Sequence, residues 1–167
     1  LPGGVVSDPD PGAGIDGYYE HAQRLLVSRQ MGKVMTHEFT HALHAADQDA
    51  LDQIHPIWVA EGLATLFESS VIEEGNVVPE PNHRLTLLKW ILDREGTVRW
   101  RRMVAFDRAE FLDVSAVSYP QCRYMMMYLY DKGLLKKWYD AFTAGFDRAP
   151  PGAAALEEVC GKPLEQI

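Results

Sequence analysis

Residues 37–41 read HEFTH, an H-E-x-x-H pattern, within a run at residues 31–47 that is typical of a helix. Residues four apart share one face of a helix, so the imidazoles of His37 and His41 can bind one metal ion. Glu38 lies at the edge of that face, where its carboxylate can reach a water molecule beside the ion. Zinc binds neutral imidazole well, and a catalytic zinc keeps one position for water. The pattern therefore predicts the centre of a metal-dependent hydrolase.

The same run carries an apolar stripe, which consists of Val34, Met35, Phe39, Ala42 and Leu43. Such a stripe indicates a helix that packs against a core. The two histidines are then expected at the border of the buried face. The alternative interpretation is a helix with two surface histidines, because a short pattern of this kind also arises by chance.

A second helical run, WVAEGLATLFE at residues 58–68, follows after a loop. Its expected apolar face consists of Leu63, Leu66 and Phe67. A helix, a loop and a second helix would let Glu61 approach the pair of His37 and His41 from the opposite side. Taken alone, Glu61 also fits an ordinary acidic residue near the positive end of a helix dipole. Beside an H-E-x-x-H helix, it is the candidate third ligand.

HEFTH followed by WVAEGLATLFE resembles the gluzincin metallopeptidases, which bind zinc through two His of the first helix and a Glu of the second. The sub-pattern W-x-x-E-G-L-A resembles the compact bacterial branch, the peptidase-MA-like domains. Weaker likeness continues at residues 81–92, 119–129 and 156–162, so that it covers most of the chain. Arg123 departs from that branch, in which an aromatic residue is usual at this position.

The resemblance implies Zn²⁺ held by His37, His41 and Glu61, and a peptide or protein as the substrate. Glu38 would be the general base that takes a proton from water and passes it to the leaving amine. The tetrahedral intermediate also needs a hydrogen-bond donor for its second oxygen. Tyr119 is the first candidate for this role. His83 and Tyr124 follow, and a Tyr119 that only packs in the core is an equal alternative.

The chain is predicted to be one mainly α (α+β) domain over residues 1–167, a zincin-like minimal catalytic domain after an irregular lead-in at residues 1–16. Two short strands are expected ahead of the metal helix, and Pro56 should place the start of the second helix at residue 57 or 58. The remaining expected elements are a hairpin turning at Gly75-Asn76, helices at residues 83–94, 98–105 and 108–112, a helix at 119–132 capped by Ser118, and helices at 134–142 and 153–159.

Composition narrows the function classes further. The 167 residues are 47% hydrophobic and 24% charged, which is ordinary for a folded domain. A net charge of −8 without a basic stripe disfavours nucleic-acid binding. No apolar run approaches the roughly 18 residues of a membrane span.

The context of the chain stays open at this stage. A first residue Leu1 favours a mature product or a piece of a longer protein, in which flanking domains would help to choose the substrate. A secreted or cell-envelope location is favoured over the cytoplasm. Cys122 and Cys160 would form one bridge or remain thiols, and the apolar surroundings of Cys122 favour a buried thiol.

Three alternatives to a gluzincin site are consistent with the same residues. Asp47 stands where metzincins carry their third ligand, but His44 replaces the glycine that lets the chain leave the helix there. Asp47 is therefore expected to stay on the continuing helix. The other two are a zinc-containing binding module without activity and a helical interaction domain with coincidental histidines. The presence of Glu38 argues against a binding module without activity, since holding zinc does not require this residue.

Overall fold

The fold comes from a computed structural model that describes residues 16–94, 96–148 and 152–167. These residues form eight α-helices, one 3-10 helix and two antiparallel two-stranded sheets, which confirms the mainly α (α+β) prediction. Apart from Asp16, the expected lead-in lies outside the described residues. No helix among the described residues has both the length and the apolar character to cross a bilayer.

The first half of the chain forms two hairpins and three helices, and the second half is helical. The elements are, in chain order, β1 (Gly17–Glu20), β2 (Leu25–Ser28), α1 (Lys33–Leu51), α2 (Ile57–Phe67), β3 (Ser70–Glu73), β4 (Asn76–Pro79), α3 (His83–Leu92), α4 (Trp100–Met103), α5 (Arg108–Asp113), α6 (Ser115–Asp131), α7 (Leu135–Ala144), α8 (Ala153–Cys160) and the 3-10 helix Leu164–Gln166. The two predicted strands ahead of α1 and the predicted start of α2 after Pro56 are thus confirmed.

Two predicted boundaries are wrong. Helix α6 begins three residues before Ser118, whose buried hydroxyl donates to the carbonyl of Phe111 at 2.8 Å instead of capping the helix. Pro120 consequently lies inside α6 and not in its first turn. The second hairpin turns at Glu74-Gly75, because Glu73 pairs with Asn76. Both turn residues have a positive φ, at 50° and 82°, as a tight two-residue hairpin requires.

Helix α2 is the centre of the fold, with α1 on one side and α6 on the other. Its Trp58 and Leu66 are fully buried with Met126 and Leu129 of α6. The methionine-rich helix α6 is therefore a central part of the core. Gly62 lets the two helices approach closely, since a Cβ at this position would lie 3.0 Å from Met126 Cε. Both cysteines are free thiols, and Cys122 is buried between these helices.

Helix α1 faces the core with a different side from the one predicted. Phe39 and Leu43 are exposed at 54% and 57%, whereas His44 and Ala45 are buried. The side of α1 that carries its histidines packs against α2, and the hairpin of β1 and β2 covers a further part of it. Apolar periodicity failed here because the face of α1 that meets α2 is built from polar residues.

Arg123, the departure from the resemblance, is a fully buried cation that joins three segments. From α6, its guanidinium donates to the carbonyls of Leu66 at 3.0 Å and Glu80 at 2.6 Å. The first acceptor lies in the last turn of α2, where carbonyls lack helical partners and favour a cation. Arg123 therefore caps α2 and fixes the segment between β4 and α3.

We expect Arg123→Met to lower the free energy of unfolding by about 2–5 kcal/mol, because two buried carbonyls lose their donor at about 1–3 kcal/mol each. Urea denaturation measures the change. Arg102→Met is the matched control, since Arg102 is exposed and lies over the ring of Phe106. A loss no larger than that of the control would show that the two hydrogen bonds add nothing to stability.

Gly17 allows β1 to lie directly on α1. A Cβ at this position would come within 2.7 Å of Val34 Cγ1 and 3.3 Å of Glu38 Cγ. Any larger residue must therefore push the hairpin away from the helix that carries the H-E-x-x-H pattern.

Gly17→Ala is expected to reduce the free energy of unfolding by about 1–3 kcal/mol, the usual effect of overpacking. Gly96→Ala serves as the control, since its added Cβ would meet nothing closer than 3.4 Å. Equal stabilities of the two variants in urea denaturation would mean that the hairpin adjusts without strain.

Candidate metal centre

The structure brings together the three side chains that the sequence suggested as ligands. His37 and His41 lie one turn apart on α1, with their Nε2 atoms 3.1 Å from each other. Glu61 of α2 faces them, and its Oε2 lies 3.4 Å from His37 Nε2 and 3.6 Å from His41 Nε2. Among the described residues, these are the His, Cys, Asp or Glu side chains whose donor atoms converge closely enough to hold one metal ion.

The three donor atoms have the spacing of ligands around one small ion. Two ligands at about 2.0–2.1 Å from a tetrahedral zinc lie roughly 3.3–3.4 Å apart. The observed edges of 3.1, 3.4 and 3.6 Å bracket this value. Two imidazoles and one carboxylate also form a donor set used by catalytic zinc sites. The residues present therefore fit a zinc ion.

Glu61 has the burial and the charge state of a ligand. Its Oε2 is buried and has no hydrogen-bond partner among the described residues, which is costly for an ionised oxygen unless a cation is nearby. Burial would raise the pKa of Glu61, but the two imidazoles outweigh this and hold the pKa far below its usual range. The side chain thus offers an ionised oxygen that points at two imidazole nitrogens.

His37 is bound from both sides of its ring. Its Nδ1 lies 3.3 Å from Oε2 of Glu68, the residue that follows α2. Burial would lower the pKa of His37, yet the nearby carboxylates of Glu61 and Glu68 raise it to about 9. Burial likewise opposes ionisation of Glu68, but His37 and Arg84 lower its pKa to about 2. A metal ion at Nε2 must therefore displace a proton from His37.

Glu38 lies beside this group without belonging to it. Burial raises its pKa above the ordinary value, and the charges of His37 and His41 oppose that shift. A hydrogen bond from the backbone of Tyr19 in β1 also acts on the carboxylate. Burial thus makes Glu38 more basic than an exposed glutamate, and Gly17 of the first hairpin lies close to its side chain.

Tyr119 of α6 lies near the carboxylate of Glu61. Burial raises its pKa, and the nearby charge of Glu61 adds to the shift, so the phenol keeps its proton. Its ring packs against Phe111 and lies 5.4 Å below the guanidinium of Arg84. The hydroxyl is thus a hydrogen-bond donor next to a candidate metal ligand.

The other sequence candidates lie elsewhere. Tyr124 accepts from the backbone N–H of Asn82 at 3.2 Å, and His83 is exposed at the start of α3. Asp47 remains on α1, as expected from His44, and its Oδ2 accepts from the hydroxyl of Tyr139 at 2.5 Å. It is not among the converging donor atoms.

The sequence does not identify the side chains that hydrogen-bond to the three candidate ligands. Glu68 contacts His37, whereas Thr65 donates to the carbonyl of Glu61 within its own helix. Asn82 and Arg84, which contact Glu68, were not expected at all. The pattern Pro-Asn-His before α3 is a helix N-cap signal and would have found Asn82. Nothing local singles out Arg84.

A second, buried histidine pair joins His44, which lies about one turn after His41 on α1, to His55 in the loop that follows α1. Gln53 donates through Nε2 to the carbonyl of Thr143 at 2.9 Å, so its Oε1 accepts from His55 Nε2 at 3.0 Å. His55 Nδ1 then accepts from His44 Nε2 at 2.7 Å. This chain of hydrogen bonds requires a neutral His55, and burial also favours the neutral form of His44. The chain of hydrogen bonds fastens the loop between α1 and α2 to α7, and so helps to position Glu61.

The histidine pair predicts a loss of stability at acidic pH. Burial lowers the pKa of His44 to about 3 and of His55 to about 4, from an ordinary value of 6.5. Below pH 6.5 the unfolded chain therefore binds protons that the folded chain does not, and the free energy of unfolding falls. We expect a loss of roughly 2–4 kcal/mol between pH 6.5 and about 4.5 from these two groups.

Urea denaturation across this pH range provides the measurement. His55→Gln should flatten the acid slope, because glutamine supplies a donor and an acceptor without titrating. His83→Gln is the control on an exposed histidine and should retain the slope. An unchanged slope in His55→Gln would assign the acid sensitivity to other groups.

Comparison with known proteins does not identify a family for this chain. No protein-family model matches the chain, and neither a curated protein nor a solved structure matches it. The function of the protein must therefore be inferred from the site itself and from the resemblance of its two motifs.

Proposed function

We propose that this protein is a zinc-dependent peptidase of the gluzincin type, built on a zincin-like catalytic domain. The observation that carries the proposal is the convergence of His37, His41 and Glu61, with the unpartnered oxygen of Glu61 directed at both imidazoles. Glu38, on the same helix, lies next to the group with a raised pKa. A structural zinc site needs no such base.

Each residue has a defined role in peptide-bond hydrolysis. His37, His41 and Glu61 would hold Zn²⁺, which supplies Lewis-acid activation of a water molecule and of the scissile carbonyl. Glu38 takes a proton from the attacking water and delivers it to the amine nitrogen as the peptide bond breaks. Two neutral imidazoles and one carboxylate leave the site with a net positive charge when the ion is bound, which favours this chemistry.

Tyr119 is the proposed donor to the oxyanion that develops on the scissile carbonyl. Its hydroxyl stays protonated because burial and the charge of Glu61 both raise its pKa. A neutral phenol next to the ligand set can donate a hydrogen bond when negative charge appears there. Its packing against Phe111 and Arg84 limits movement of the ring.

The test combines metal analysis with a peptide digest. The protein is stripped with a chelator, reloaded with Zn²⁺, and incubated with a mixed peptide library that is read by mass spectrometry. We expect one zinc per chain, cleavage only in the reloaded protein, and loss of cleavage on renewed chelation.

Two other results would contradict the proposed peptidase function. Zinc bound without any cleavage would replace the enzyme by a zinc-containing binding module. Failure to bind zinc would leave a helical domain in which the histidines are coincidental.

A further inference from the structure

We propose that the N-terminal end of α3 positions His37 for metal binding, acting through Glu68. In this arrangement Arg84 and Asn82 fix the Glu68 carboxylate, and the carboxylate fixes the ring of His37. The inference rests on the proposed zinc site, and it concerns affinity for the ion, not the peptide substrate.

The contacts form a continuous chain from α3 to His37. Glu68 Oε2 lies 3.3 Å from His37 Nδ1. Its other oxygen, Oε1, accepts from Asn82 Nδ2 at 2.9 Å and from Arg84 Nε at 3.0 Å. The Glu68 side chain is only 10% exposed. Both oxygens are thus engaged, and the carboxylate cannot turn away from His37 without losing charged hydrogen bonds.

This arrangement selects one tautomer of the neutral imidazole. An ionised Glu68 accepts only from a protonated Nδ1, which leaves the lone pair of His37 on Nε2. Nε2 is the atom that faces Glu61 and His41. The carboxylate therefore orients the ring and raises its basicity as a ligand.

Asn82 is itself held in place by two further hydrogen bonds. Its Oδ1 caps α3 by accepting from the backbone N–H of Arg84 at 3.0 Å. Its own backbone N–H donates to the hydroxyl of Tyr124 at 3.2 Å. The first turn of α3 is thereby anchored to α6, which makes Asn82 and Arg84 fixed partners for Glu68.

Arg84 has a second contact that the experiment must separate from the first. Its guanidinium lies 5.4 Å from the ring centroid of Tyr119, so loss of Arg84 also alters the surroundings of that tyrosine. A double-mutant cycle with Glu68 distinguishes the two routes.

The experiment measures Zn²⁺ affinity by competition with a chromophoric chelator for wild type, Glu68→Gln, Arg84→Met and the double variant. We expect Glu68→Gln to weaken binding about 10–100-fold, the range for loss of a partner that orients a ligand. Arg84→Met should weaken it about 10-fold or more on the same grounds, and the double variant no further than Glu68→Gln alone. The visible spectrum of the Co²⁺-loaded protein should change in both single variants, which a purely structural role would not produce.

Arg94→Met is the matched control and should leave affinity unchanged, because Arg94 follows the C-terminal end of α3 and its guanidinium lies over the ring of Trp90. Asn82→Ser removes the amide donor to Glu68 but keeps an N-cap oxygen, so it decides the question if Glu68→Gln does not fold. It should weaken Zn²⁺ binding as well.

Wild-type Zn²⁺ affinity in Glu68→Gln would overturn the inference and leave the zinc site intact. If Glu68→Gln does not fold, wild-type Zn²⁺ affinity in Asn82→Ser would have the same meaning. A further loss from Arg84→Met in the Glu68→Gln background would also overturn it, since Arg84 would then act by another route. A wild-type protein that binds no Zn²⁺ would remove the proposed function and this inference together.

Discussion

Replacing Glu61 with Ala should lower the affinity for Zn²⁺ by more than about 100-fold, because even the loss of a partner behind a ligand costs 10–100-fold. The variant removes the carboxylate from the three donors that converge among the described residues. His37 and His41 remain, but two imidazoles on one helix face give an incomplete ligand set. The effect should therefore exceed that of removing Glu68, which lies behind a ligand.

Elemental analysis after dialysis against Zn²⁺, followed by chelator competition, measures this effect. Asp47→Ala is the informative companion, because Asp47 was the other candidate for the third ligand. It should bind zinc like the wild type and lose only the contact with Tyr139. Full retention of zinc by Glu61→Ala would exclude Glu61 as a ligand, and loss of zinc in Asp47→Ala would restore the metzincin-like alternative.

Glu38→Gln should leave zinc binding intact and reduce kcat by about 10²–10⁴-fold, the usual contribution of a general acid–base. Glutamine keeps the size and polarity of the side chain but cannot accept a proton. The backbone of Tyr19 and the imidazoles of His37 and His41 surround the carboxylate, so the geometry of the site should survive.

Zinc content and turnover of a peptide found in the library screen are measured on the same samples. Glu73→Gln, on the exposed part of β3, is the matched control and should keep full turnover. Undiminished cleavage by Glu38→Gln would remove this residue from the mechanism. Loss of zinc along with activity would instead make Glu38 part of the metal site.

Much of the fold follows from local signals. Pro56 predicted the start of α2, and the β-favouring apolar residues at 25–28 predicted a strand of the first hairpin. The boundary of α6 failed, since Ser118 has the chemistry of an N-cap but bonds to Phe111 in the folded chain. A hydroxyl can satisfy itself in several ways, and the sequence does not show which partner lies nearby.

Local sequence signals also did not predict which side of α1 is buried. Phe39 and Leu43 form an apolar stripe, but no described element covers them, and both are exposed. The buried side is instead the one that carries His44 and Ala45, and α1 packs against α2, a contact between separate elements. Periodicity reports which face is apolar, and tertiary packing decides which face is covered.

By itself, the sequence determined that His37 and His41 share one helix face with Glu38 at its edge, because the helical repeat is a local property of the backbone. Only the tertiary structure decided that Glu61 and not Asp47 meets the two imidazoles, that Glu68 lies behind His37, and that Arg123 is buried. Those relations depend on how α2, α3 and α6 lie against one another, and residue spacing along the chain does not encode such distances.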